Sequence, residues 1–79
     1  MAKQVLLYET EWCHWCKLAK EFFKNYKIKF KEIYVDKDQK AANEMIEKSG
    51  QMGVPVIDID SKIVIGFDEP ALKKLLKIK

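Results

Sequence analysis

Two cysteines three positions apart, Cys13 and Cys16, stand between a short apolar segment and a longer amphipathic one. The segment before them, residues 5–8, is wholly apolar and has the length of a buried β-strand. After Cys16, apolar side chains recur at helical spacing as far as Tyr26, with lysine and glutamate between them, which predicts an amphipathic helix that begins near Cys13. The cysteine pair is therefore expected where a strand passes into the first turn of a helix.

The rest of the chain shows the periodicities of three further strands and two further helices. Alternating apolar and charged residues predict strands, and apolar residues at helical spacing predict helices. Asp36 or Asp38 is placed to cap the first of these helices, Gly50 to end it and Asp68 to cap the second. In chain order, the elements are a strand at 28–35, a helix at 39–49, a strand at 54–59, a strand at 62–65 and a helix from residue 69 onward.

The order of these elements indicates an α/β fold. Two strands joined through a helix are expected to be parallel, with a right-handed crossover, and the two strands joined by the tight turn at residues 60–61 should be antiparallel. We therefore predict a β-α-β-α-β-β-α order that forms a four-stranded mixed sheet flanked by three helices. The length of 79 residues predicts one domain that spans residues 1–79.

Composition argues against several classes of function. The 15 basic residues are all lysine and alternate with 12 acidic residues along the chain, which is typical of a solvated surface rather than a nucleic-acid-binding face. No apolar run approaches the roughly 20 residues of a membrane helix, and the N-terminal residues lack the features of a secretory signal. We expect a cytoplasmic monomer that binds neither nucleic acid nor membranes.

A thiol in the first turn of a helix lies in an unusual electrostatic environment. Unpaired backbone amides and the positive end of the helix dipole stabilise an anion there, and they lower the pKa of a cysteine from its free value of about 8.5. The thiolate is the form that attacks disulfides. We expect Cys13 to be exposed and nucleophilic, and Cys16 to be more buried and to release the product. This chemistry needs no cofactor, because the electrons reside on the two sulfurs.

The cysteine pair also admits other interpretations. A zinc site needs four ligands and only His14 offers a third, so we expect no bound metal. An iron–sulfur cluster held between two subunits stays open as an alternative, because a second chain would supply the missing thiolates. A redox-inert structural domain is a third interpretation. A disulfide that closes so short a loop removes little entropy from the unfolded chain, however, so a purely structural role explains the pair poorly.

Three motifs, in this order, resemble the glutaredoxin branch of the thioredoxin superfamily over nearly the whole chain. The motifs are Trp12-Cys13-His14-Trp15-Cys16 after the first strand, Gly53-Val54-Pro55 before the third and Gly66-Phe67-Asp68 after the fourth. The resemblance implies a thioredoxin-like fold and thiol–disulfide oxidoreductase activity on disulfide-containing proteins. It also implies a cis Val54–Pro55 peptide bond beside the active site, which leaves the Val54 backbone free to pair with a bound peptide or glutathione.

The sequence departs from the usual glutaredoxin pattern at several positions. The basic residue that commonly precedes the first cysteine by three positions, and helps to hold the glutathione carboxylate, is Thr10 here, and Glu11 follows it. The usual second glycine after the fourth strand is Phe67, a feature closer to small redoxins that are reduced by thioredoxin reductase. The buried acid that thioredoxins carry six positions before the first cysteine is Leu7, so Cys16 lacks an obvious carboxylate for proton transfer.

The residues around the cysteines have both functional and structural interpretations. A protonated His14 would stabilise the Cys13 thiolate, or it is an ordinary exposed loop residue. Lys17 adds positive potential near the thiolate, or is simply solvated, and we favour solvation. Trp12 either contacts a partner or packs beside the first strand, whereas we favour a partner contact for Trp15.

The residues after the third and fourth strands are candidate substrate contacts. Asp68 would bind an amino group of the substrate, cap the last helix, or do both. Pro55 either marks the start of the third strand or contacts the substrate, and the resemblance favours contact. Val54 and Phe67 are candidate substrate contacts as well. We predict a dithiol–disulfide oxidoreductase whose electron source is thioredoxin reductase in preference to glutathione.

Overall fold

The computed structural model describes residues 4–77. Its elements follow the predicted order and alternate along the chain before a final hairpin and helix. They are β1 (Val5–Glu9), α1 (His14–Asn25), β2 (Lys31–Tyr34), α2 (Gln39–Ser49), β3 (Val56–Ile59), β4 (Lys62–Ile65) and α3 (Glu69–Leu76).

The four strands form one mixed sheet in the order β2-β1-β3-β4. β1 is parallel to β2 and antiparallel to β3, and β3 is antiparallel to β4, as predicted. Leu7 lies in the middle of this arrangement, opposite Glu32 on one side and Ile57 on the other. β1 and β3 are therefore the central strands, and the residues that follow β1 share a sheet edge with those that precede β3.

The sheet is covered on both faces, and the alternation of side chains along β1 assigns each residue to a face. Leu7 packs with α1 and α3, whereas Tyr8 packs with α2. The α1 face holds the larger cluster of buried apolar residues: Val5, Leu7, Ala19, Phe22, Phe23, Ile57, Ile59, Val64 and Leu72. The α2 face has a smaller buried cluster: Tyr8, Met45 and Val56.

Side chains cap the helices at the places that the sequence indicates. Asp38 accepts a hydrogen bond from the Ala41 amide at 3.2 Å at the start of α2, and Asp68 accepts one from the Ala71 amide at 3.2 Å at the start of α3. Gly50 ends α2 in the left-handed conformation, with φ of 74°. Asp36, the alternative cap of α2, does not serve in this role.

The predicted boundaries of several elements differ from the structure. β2 begins at Lys31 rather than at residue 28, because Ile28 and Phe30 turn inward from the preceding loop and pack against the α1-face cluster. β3 begins at Val56 rather than at residue 54, because Pro55 has no amide hydrogen to give to a neighbouring strand. β1 extends one residue beyond the predicted segment and ends at Glu9. Among residues 4–77, no helix has the length and apolar character needed to cross a bilayer.

Candidate active site

Cys13 and Cys16 form a disulfide at the start of α1, with Cα atoms 5.2 Å apart. Cys13 is the N-cap of the helix, and its sulfur accepts a hydrogen bond from the Cys16 amide at 3.1 Å. Cys16 lies within the first turn and is only 1% exposed, whereas Cys13 is partly exposed. Cys13 is therefore the more accessible of the two sulfurs, although it is less open than we expected.

The start of α1 is electrostatically suited to hold an anion at Cys13. Its first turn contains no acidic residue, so the positive end of the helix dipole is not offset there. A Cys13 thiolate would keep the Cys16 amide as a donor, and charge-assisted hydrogen bonds are stronger than neutral ones. This arrangement favours ionisation of Cys13 once the disulfide is opened.

A groove of about 540 Å³ opens beside Cys13 and follows α1. Three lysines of this helix line it, namely Lys17, Lys20 and Lys24, and His14 lies near its start. Glu11 also lines the groove, but its carboxylate pairs with Lys37 at 3.3 Å. Glu21 of the same helix lines the groove as well, so the positive charge that follows the helix away from the redox-active sulfur is partly offset.

A buried carboxylate that the sequence analysis missed lies at the end of β1. The Glu9 side chain is 0% exposed, and its Oε1 is 3.1 Å from Lys20 Nζ, which is also 3.4 Å from Glu32 Oε1. Neither Glu9 oxygen accepts a hydrogen bond from the residues that the structure describes. Burial raises the pKa of Glu9 above its ordinary value, and the neighbouring Lys20 opposes this shift only in part.

The sequence nevertheless contained a signal for Glu9. Leu7 stands where thioredoxins carry a buried acid, and Glu9 follows Leu7 by two positions on the same strand. Residues two apart on a strand share a face, so an extension of β1 by one residue turns Glu9 toward α1. The sequence offered no obvious carboxylate for proton transfer to Cys16, and the structure buries one at Glu9, on the same face of the sheet as Leu7.

The two tryptophans beside the cysteines are open to solvent. Trp12 is 90% exposed, so the alternative in which it packs beside β1 does not hold. Trp15 is 57% exposed, and the His14 ring lies edge-on to it with centroids 5.7 Å apart. His14 and Lys17 are likewise exposed. Roles for these four residues in binding or in thiolate stabilisation stay predictions.

The other candidate residues lie at the same edge of the sheet as the cysteines. The Val54–Pro55 peptide bond is cis, and the Pro55 carbonyl accepts a hydrogen bond from the Gly66 amide at 2.8 Å. Phe67 is half-buried, with its ring 5.9 Å from that of Phe22. Asp68 is exposed and caps α3, so its structural role is present, and a contact with substrate stays a prediction.

Metal ligands are not assembled in the part of the chain that the structure describes. Across residues 4–77, no three or more histidine, cysteine or acidic side chains lie close enough together to hold a metal ion.

Comparison with known proteins agrees with the fold and with the resemblance to glutaredoxins. The family model described as glutaredoxin matches residues 5–64. An uncharacterized glutaredoxin-like 8.6 kDa protein in the rubredoxin operon of Clostridium pasteurianum is 41% identical over 73 residues, which cover 92% of this chain and 97% of that protein. Glutaredoxin 3 of Escherichia coli strain K12 is 34% identical over 65 residues, which cover 82% of this chain and 78% of that one.

Solved structures give the same result. The crystal structure of a glutaredoxin from Archaeoglobus fulgidus superposes with a TM-score of 0.87 at 32% identity, covering 95% of this chain and 87% of that one. The likeness extends over nearly the whole four-stranded sheet and its helices. The chain therefore belongs to the glutaredoxin family.

Proposed function

We propose that the chain is a dithiol–disulfide oxidoreductase in which Cys13 attacks the substrate and Cys16 resolves the intermediate. The Cys13 thiolate attacks one sulfur of a substrate disulfide, forms a mixed disulfide and expels the other substrate sulfur as a thiolate. Cys16 then loses its proton and attacks the Cys13 sulfur, which releases the second substrate thiol. The substrate gains two electrons, and the protein is left with the Cys13–Cys16 disulfide.

The unequal exposure of the two sulfurs is the observation that carries this assignment. Cys13 is partly exposed at the N-cap, where an incoming disulfide can reach it, and Cys16 is 1% exposed. A thiol that is closed to solvent cannot readily attack an external disulfide, but it can attack a neighbour one helical turn away. The Cα separation of 5.2 Å already suits a bond between the two residues.

Proteins are the substrate class that the surface favours. Trp12, Trp15 and Met52 expose 90%, 57% and 77% of their surface, which is unusual for large apolar side chains. Exposed aromatic residues beside a reactive group suit contact with a protein partner, where aromatic side chains contribute strongly to binding. Small disulfides would leave most of this surface unused.

Thioredoxin reductase is the electron source that we favour, and glutathione is the second candidate. Thr10 has no positive charge for a carboxylate of glutathione, and Phe67 places a ring where the usual glutaredoxin pattern has glycine. Against this, Lys17 lines the groove beside Cys13 and offers positive charge to a carboxylate. The two reductants therefore have to be compared directly.

Coupled assays with a protein disulfide substrate test both parts of the proposal. The wild type should turn over with NADPH and thioredoxin reductase much faster than with glutathione and its reductase. Cys13→Ser should abolish turnover, and Cys16→Ser should accumulate a mixed disulfide that mass spectrometry detects. Retained turnover in Cys13→Ser would refute the assigned roles, and efficient turnover with glutathione alone would refute only the choice of reductant.

A further inference from the structure

Glu9 is the most unusual polar group in residues 4–77. Its side chain is 0% exposed, and neither oxygen accepts a hydrogen bond. It lies four positions before Cys13 in the sequence. An ionised carboxylate in such a place has lost its hydration without full replacement, so it binds a proton more readily than an exposed glutamate does. A group in this condition responds to any new charge that appears nearby.

Lys20 connects Glu9 with the groove that opens at Cys13. Its ammonium group is 3.1 Å from Glu9 Oε1, its side chain is 26% exposed, and it lines the groove together with Cys13. Lys20 lies seven positions after Cys13, which is about 10 Å along the helix axis. Helical side chains lean toward the N-terminus, and this direction brings the lysine charge closer to Cys13.

We propose that Glu9 takes up a proton when the Cys13–Cys16 disulfide is reduced and releases it when the disulfide reforms. Reduction adds two electrons, leaves a thiolate at Cys13 and protonates Cys16. The new negative charge competes with Glu9 for Lys20, so Glu9 accepts a further proton from solvent through the groove. Glu9 is thus a positioning residue, which acts on the cysteines through Lys20. The proposal rests on the proposed function only in requiring a Cys13 thiolate.

The charges that face Glu9 come from two neighbouring elements. Lys20 approaches from α1, while Glu32 and Tyr34 belong to β2, where Tyr34 lies opposite Glu9 in the strand register. Burial raises the pKa of Glu9, and Glu32 adds to that shift. Asp58, the other buried acid of the described residues, packs on the opposite face, where Lys48 holds it. Proton exchange on the α1 face is therefore assigned to Glu9.

The experiment is a measurement of the reduction equilibrium of the purified protein against pH, from pH 5 to pH 8, by redox titration followed through tryptophan fluorescence. Each proton taken up changes the equilibrium constant tenfold per pH unit, which is about 30 mV for a two-electron couple. The wild type should take up more protons than Glu9→Gln over part of this range, with an excess that approaches one. Glu9→Asp should restore part of that excess.

Glu32→Gln is the matched control, because Glu32 contacts the same lysine but its side chain is 41% exposed. Its curve should keep the excess proton of the wild type, at a lower pH because Glu32 adds to the raised pKa of Glu9. Parallel curves for the wild type and Glu9→Gln at every pH would overturn the proposal. If Glu9→Gln does not fold, carboxyl carbon NMR of the wild type decides the matter: the Glu9 titration midpoint should be higher in the reduced than in the oxidised protein, and equal midpoints would overturn the proposal.

These measurements need no substrate, reductase or turnover. Parallel curves in a protein that reduces substrate would therefore refute the role of Glu9 and leave the proposed function intact. An excess proton in a protein that fails to reduce any disulfide substrate would support the role of Glu9 and refute the proposed function.

Discussion

The two faces of the sheet each bury one carboxylate, and the two carboxylates are held very differently. On the α2 face, Asp58 accepts hydrogen bonds from Lys48 Nζ at 2.9 Å and from the Ser61 amide at 2.7 Å. The same Lys48 ammonium donates to the Tyr8 hydroxyl at 2.7 Å, so Lys48 links both polar side chains by hydrogen bonds. On the α1 face, Glu9 has Lys20 at 3.1 Å but no hydrogen bond from residues 4–77.

The difference indicates that the Asp58 charge has a structural role, whereas the protonation of Glu9 changes with the charges around it. Lys48 ties α2 to β1 and β3, and a buried network whose members are satisfied fixes one arrangement. Glu9 is left with unmet hydrogen-bonding capacity a few residues before the redox-active cysteines, where a change of charge accompanies reduction. We therefore expect a mutation in the Lys48–Asp58 cluster to change the free energy of unfolding strongly. We expect the Glu9–Lys20 pair mainly to make the free energy of unfolding depend on pH.

Removal of Lys48 should produce the largest loss of stability. Lys48→Met leaves Asp58 buried without its cation, and breaking a buried pair costs several kcal/mol. Because Lys48 is about a third exposed, we expect a loss of about 2 kcal/mol in the free energy of unfolding. Urea denaturation at pH 7 measures it. Lys40→Met, at an exposed position of the same helix, is the control, and an equal loss in both variants would contradict the assignment.

The pH dependence of the same variant provides a second check on the cluster. Bonds from Lys48 to Tyr8 and Asp58 raise the pKa of Lys48 above its ordinary value of 10.5. The stability that this group contributes is therefore fully present below pH 10.5 and is lost as the pH rises through the higher pKa of the folded state. The gap between wild type and Lys48→Met should narrow above that pH.

Glu9→Gln should have a smaller effect, of opposite sign, that depends on pH. The pKa of Glu9 is raised from 4.5, so the folded state binds this proton more tightly than the unfolded chain does. The contribution of Glu9 to stability consequently falls as the pH rises from 4.5 through the raised pKa, by about 1.4 kcal/mol for each pKa unit. Glu9→Gln should gain stability relative to wild type between pH 4 and pH 8. A constant difference over this range would be evidence against a raised pKa.

The exposed pair between Lys37 and Glu11 should matter least. Their side chains are 61% and 53% exposed, and exposed pairs contribute about 0–1 kcal/mol. Lys37→Met should change the free energy of unfolding by less than about 0.5 kcal/mol, as urea denaturation would show. A loss comparable to that of Lys48→Met would mean that burial does not explain the contrast between the clusters.

Local signals in the sequence were enough to predict most of the fold. Asp38 and Gly50 mark the ends of α2, Asp68 starts α3, and the apolar run before Cys13 forms β1, one of the two central strands. These features depend on side-chain chemistry within a few residues. The cysteine pair at the start of α1 was likewise evident, because its spacing and the helical pattern after it are local.

The errors concern residues whose surroundings come from distant parts of the chain. Ile28 and Phe30 alternate like strand residues, yet they pack against the core from the loop before β2. Glu9 and Lys20 meet only because α1 folds back over β1, and no local pattern shows that Lys20 turns inward. Burial of a charge is a tertiary property, so the Glu9–Lys20 pair required the structure.

The rate at which iodoacetamide alkylates Cys13 in the reduced protein, measured against pH with Cys16 replaced by serine, tests the central claim most directly. Stabilisation by the opening turn of α1 predicts a thiolate that already reacts rapidly at pH 6 and a midpoint well below the free-cysteine value of about 8.5. A midpoint at the free-cysteine value, with no excess reactivity at pH 6, would contradict the account.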